Sequence, residues 1–63
     1  MIGIIVERWS QRDGSVDWLW SIWQDGERKH MGGALEDAES AEMEARAACH
    51  RFFSQPPDDV TIL

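Results

Sequence analysis

Apolar and polar residues change rhythm four times along these 63 residues, and each change marks an element. Ile2–Trp9 opens with a β-branched apolar run and reads as a strand. Arg12-Asp13-Gly14-Ser15 follows, and Asp-Gly is a strong hairpin signal because it accepts positive φ. Val16–Gln24 alternates as a second strand should, and Asp25-Gly26 supplies another tight turn. A third strand runs from Glu27 to about Leu35, with Gly32-Gly33 marking a bulge or a close approach of the helix backbone. The rhythm then becomes helical. Ala38, Ala41, Ala45, Ala48, Cys49 and Phe52 share one face, from a cap at Asp37 or Ser40 to about Phe53. Pro56-Pro57 stops the helix, and Val60–Leu63 forms a short fourth strand.

The pattern predicts a single α+β domain over residues 1–63, of the β-β-β-α-β kind. Its first three strands form an antiparallel meander with the helix packed on one face. The helix carries the chain back across the sheet, so the tail pairs parallel to the first strand. The sheet order is then 3-2-1-4, with a right-handed crossover. Two-residue turns at Asp13-Gly14 and Asp25-Gly26 set Trp9 opposite Trp18, Ile5 opposite Ile22 and Trp20 opposite Met31. The helix-covered face is thereby expected to hold Ile5, Trp9, Trp18, Trp20, Ile22 and Met31. The other face is expected to hold Ile4, Val6, Leu19, Trp23, Arg28 and His30, partly exposed because one helix cannot cover both sides. A one-residue slip exchanges these sets.

Charge changes the picture. Twelve Asp and Glu against six Lys and Arg give a formal net charge of −6, a balance that repels nucleic acid and draws basic partners. At this length folding buries roughly 60% of the unfolded chain's surface, so the core is thin. Four Trp and two Phe help offset that, and an apolar share of 43% is too high for a disordered chain. One cysteine, Cys49, leaves no intramolecular disulfide and points to a reducing cytoplasm. The run Ile2–Val6 stops at Glu7 without a basic leader, and no stretch approaches the ~20 apolar residues of a membrane span.

Five acids crowd the helix start: Glu36, Asp37, Glu39, Glu42 and Glu44, with no base among them. They either answer the helix macrodipole as a solvated first turn or present a phosphate-like surface to Lys and Arg sites that contact nucleic acid. The outer sheet face, with Ile4, Val6, Leu19 and Trp23, suits homodimerisation or docking with Trp23 as an anchor, unless Trp23 simply lies flat under Arg28. Met43, Ala47, His50 and Phe53 project from the outer side of the helix, where Met43 adds apolar contact beside the acids.

Catalytic chemistry finds no footing. Cys49 and His50 are adjacent on a helix and point about 100° apart, so they do not make a nucleophile–base pair. His30, His50 and Cys49 lack metal-ligand spacing, and no serine sits in a glycine elbow. Gly32-Gly33 has neither the spacing nor the following Lys of a phosphate loop. The reading is a non-enzyme with no catalytic residue, no metal and no cofactor.

Two resemblances bear on function. Gly14-x-x-x-Trp18-x-Trp20, then Asp25-Gly26-x-Arg28-Lys29, Gly33 and an Ala-rich helix resemble the arm-type DNA-binding domains of phage integrases over residues 14–50. That resemblance implies a three-stranded sheet laid in the major groove. Here Arg8, Arg12, Arg28 and Lys29 sit among Asp13, Asp17, Asp25 and Glu27, a balance unlike that family's basic sheet. In size, acidity and compact α/β form the whole chain resembles the small acidic anti-CRISPR proteins of phages and mobile elements, with no shared motif. This implies an inhibitor acting in the host bacterial cytoplasm on a CRISPR effector, whose DNA or PAM channel is lined with Lys and Arg.

The expected function is therefore stoichiometric inhibition of a basic nucleic-acid-binding protein, in the best-motivated case a Cascade-type complex. Glu36, Asp37, Glu39, Glu42 and Glu44 make the acidic contact, and Met43 and Trp23 are the apolar anchors. No direct nucleic acid or membrane partner is expected, and the protein is a monomer or weak homodimer. The alternatives are a self-associating domain that uses the outer sheet face, or an integrase-like DNA-binding domain.

Overall fold

The computed structural model describes residues 1–63. Its elements are β1 (Ile2–Ser10), β2 (Val16–Gln24), β3 (Glu27–Leu35), α1 (Ala38–Phe53) and β4 (Asp59–Ile62). The sheet order is β3-β2-β1-β4, antiparallel within the meander and parallel between β1 and β4. The β-β-β-α-β architecture and the sheet order expected from the sequence are those observed.

Local chemistry sets each boundary. Asp37 caps α1 by accepting from the Ser40 backbone N–H at 2.7 Å, which satisfies one of the donors the first turn leaves open. At the other end Ser54 takes a left-handed conformation, φ 58°, and its N–H donates to the His50 carbonyl at 2.9 Å. Asp25 and Gly26 both have positive φ, 53° and 83°. That is the type I′ geometry a two-residue hairpin needs. After the prolines, Asp58 clasps the start of the chain. Its carboxylate accepts from the Ile2 N–H at 2.7 Å, and its own N–H donates to the Ile2 carbonyl at 2.8 Å.

The faces of the sheet differ from the expected ones on β1 and on most of β3. β1 pairs Ile4 with Ile22, Val6 with Trp20 and Arg8 with Trp18. The cause lies in the first turn, which is one residue longer than a two-residue hairpin. Gln11 N–H donates to the Ser15 carbonyl at 2.8 Å and Gly14 N–H to the Gln11 carbonyl at 3.1 Å, with Gly14 at φ 90°. This is a three-residue loop whose last residue is left-handed. The extra residue turns β1 over, so Ile2, Ile4 and Val6 face the helix while Ile5 and Trp9 face away. On β3 the pairing slips beyond Arg28, placing His30 opposite Ile22 and Met31 opposite Ser21. His30 therefore joins the helix side and Met31 the open side, the reverse of the expectation.

Ile2, Ile4, Val6, Trp20 and Ile22 make the sheet side of the core, and Ala41, Ala45, Ala48 and Cys49 the helix side. Large β-branched residues meet small helix residues, so α1 sits close to the sheet and both interdigitate. Ile4→Ala in that layer costs about 2–5 kcal/mol. Two phenylalanines exchange their expected places at the end of α1. Phe53 is half-buried and packs against the core, while Phe52 is exposed at its edge. Phe52 stacks on His30 with ring centroids 3.8 Å apart, and Phe53 meets the same imidazole edge-on at 5.8 Å.

Candidate interaction surfaces

The helix-start acids differ in what they bond to and in which side of the helix they occupy. Asp37 is taken up by capping, and the hydrogen bonds from Ser40 hold its carboxyl below the ordinary 3.8. Glu42 pairs with Arg46 at 2.8 Å. Glu44 accepts the indole N–H of Trp20 at 2.9 Å. At 100° per residue Glu42 and Glu44 project about 160° apart, on opposite flanks of the helix, whereas Glu39 and Glu42 are only about 60° apart. Glu36 and Glu39 are exposed and make no hydrogen bond or ion pair. Glu36 and Glu39 are thus the two of the five without a bond inside the chain, and Met43, 64% exposed, lies farther along the helix's outer side.

The second surface is the uncovered sheet face. Alternation and register gather Ile5, Trp9, Leu19, Trp23 and Met31 there, with Glu7 opposite Leu19 and Trp23 opposite Arg28. Trp9 is 57% and Met31 58% exposed, while Ile5, Leu19 and Trp23 are half-buried by their neighbours. Trp23 donates its indole N–H to Ser21 Oγ at 2.8 Å, which lays the ring along its own strand. A shallow depression of about 60 Å³ opens among Glu7, Trp9, Leu19, Arg28 and Met31. Trp23 lies on the outer face as expected, but Ile4 and Val6 do not. Ile5, Trp9 and Met31 replace them. Their phase was present in the sequence, because Glu7 alternates with Ile5 and Trp9, and a glutamate fits a wet face better than a buried one.

The basic residues of the meander are dispersed. Arg8 pairs across from Trp18 on the helix side, Arg28 lies on the open side, and Lys29 pairs with Glu27 at 3.4 Å. Cys49 is fully buried, its thiol donating to the Gln55 carbonyl at 3.4 Å, while His50 is exposed. Burial pushes the Cys49 thiol pKa up, the nearby Asp58 charge adds to this, and Arg46 opposes it. The His, Cys, Asp and Glu side chains form no cluster of three or more that could hold a metal ion, and no helix is long and apolar enough to cross a membrane. Comparison with known proteins found no matching family model, no matching curated protein and no matching solved structure.

Proposed function

We propose that this protein is a stoichiometric inhibitor that binds a basic, nucleic-acid-binding protein and blocks access of the nucleic acid. The observation that carries this reading is the charge that remains after folding. Twelve acidic side chains enter the fold, and only Asp25, Glu27 and Glu42 are in ion pairs. The negative field is not cancelled internally, and it steers the protein toward Lys- and Arg-lined channels. Resemblance in size and acidity to anti-CRISPR proteins makes a Cascade-type complex the first target to examine.

The acids best placed for the contact are Glu36 and Glu39, since Asp37, Glu42 and Glu44 already have partners within the chain. The test is DNA binding by a purified Cascade-type complex in the presence of this protein. Inhibition at a one-to-one ratio, weakened both by salt and by Glu36→Lys with Glu39→Lys, is the expected result. Undiminished inhibition by that double variant refutes the acidic contact.

A second reading, a domain that associates through its sheet face, is favoured by the uncovered apolar side chains there. Sedimentation across a concentration series separates it from the first. The integrase-like reading has the least support, because the bases lie on opposite sides of the sheet.

A further inference from the structure

We infer that the uncovered sheet face is the principal docking surface, and that its occupant is a partner protein with an apolar centre and a basic rim. This rests on the proposal that the partner is basic, and deepens it by moving the main contact from the helix start to the sheet. Five apolar side chains, Ile5, Trp9, Leu19, Trp23 and Met31, lie on one continuous face. Tryptophan is among the residues that dominate binding energy at interface centres, and methionine is enriched in interfaces. Covering Trp23 strands no donor, since Ser21 already accepts its indole N–H.

Charge identifies the occupant. Register places Glu7, Asp17 and Asp59 on this face, against the single base Arg28. Two copies face to face would bring six carboxylates together with two arginines, on chains that each carry −6. A second copy is therefore a poor fit, and a surface ringed by Lys and Arg a good one. Nine-residue strands of about 30 Å, set about 4.8 Å apart, outline roughly 500 Å². That is more than half of the ~800 Å² each partner contributes to a standard interface. The depression of about 60 Å³ beside Trp9 is far below the ~300 Å³ of a small-molecule site, and instead accepts one partner side chain.

The test maps backbone and indole shifts of the labelled protein during titration with a synthetic peptide of alternating Lys and Leu. In parallel, a purified Cascade-type complex is titrated with wild type, Trp9→Ser, Met31→Asp and the Glu36→Lys/Glu39→Lys double variant. The two sheet variants change exposed side chains, and near-UV circular dichroism checks that each retains its fold. Shifts centred on the sheet face, with at least about tenfold weaker binding by either sheet variant and a smaller loss in the double variant, are expected. Shifts centred on Glu36 and Glu39, with full binding by the sheet variants, overturn the inference and leave the proposed function standing. Peptide binding on the sheet without binding to the complex upholds the inference and removes the CRISPR target. No binding to either probe overturns both. A concentration-dependent dimer broken by Trp9→Ser makes a second copy the occupant and also overturns it.

Discussion

Trp20 on β2 donates its indole N–H to Glu44 on α1 at 2.9 Å, joining sheet and helix at the margin of the core. Trp20 is otherwise buried, so this carboxylate supplies the acceptor its ring nitrogen needs. Glu44 is thereby part of the fold's support. Trp20→Phe retains most of the ring but removes the donor, and is expected to lower stability by about 1–2 kcal/mol in urea unfolding. A change below a few tenths of a kcal/mol would mean that water serves the indole equally well. Reversing Glu44 to Lys loses the same bond, so any loss of function in such a variant needs a stability measurement beside it.

Gly32 lies directly under the same tryptophan. A Cβ placed on it meets Trp20 Cζ2 at 2.6 Å and Cε2 at 2.7 Å, closer than carbon atoms approach. Gly32→Ala pushes the indole out of its place and is expected to cost about 1–3 kcal/mol. Tryptophan fluorescence shifted to the red checks the cause. An unshifted spectrum with native stability would show that the ring has room to move.

Cys49 should behave as an inert thiol in the folded state. It is fully buried, and burial raises its pKa, so little thiolate is accessible to a reagent. Labelling with an aromatic disulfide at pH 8 is expected to proceed only at the rate of unfolding, and to become immediate in denaturant. Fast stoichiometric labelling of the native protein would contradict the packing of α1 against β1.

Acid should destabilise the fold through identifiable carboxylates. Hydrogen bonds from Ser40 to Asp37 and from Ser15 to Asp13 hold both groups below 3.8. A depressed folded value stabilises the fold at pH above the unfolded one, and that contribution is lost as pH falls through the folded value. The urea midpoint is therefore expected to be flat with respect to these two groups above about pH 4 and to decline below it. Asp37→Asn keeps a capping oxygen without titrating there. It should make the decline shallower, and an unchanged slope would assign the acid sensitivity elsewhere.

The limits of sequence reading follow from one loop and one bulge. Element order, the span Val16–Gln24, the Ala-rich helix face and the sheet order were legible, because periodicity and turn residues speak directly to them. The faces of β1 were not legible from the turn, since Asp13-Gly14 serves a two-residue or a three-residue hairpin equally and one residue inverts every side chain of the strand; only the phase of Glu7 pointed to the observed side. A separate register slip between Arg28 and His30 moved His30 under Phe52 and brought Met31 into the open. Glu44's attachment to Trp20 could not be read from spacing, because it joins residues 24 positions apart. The crowding of five acids within nine residues was plain in the sequence, but their division between caps, pairs and free carboxylates depends on tertiary contacts.

The clasp between Asp58 and Ile2 has a consequence for biosynthesis. β1 lies between β2 and β4, so its outer edge has no strand partner until residues 59–62 have left the ribosome. That isoleucine-rich strand stays half-paired until α1 and the proline turn that precede β4 have been made. That makes the nascent chain a natural client for chaperones, and it predicts that truncation before Asp58 leaves a sticky fragment prone to self-association.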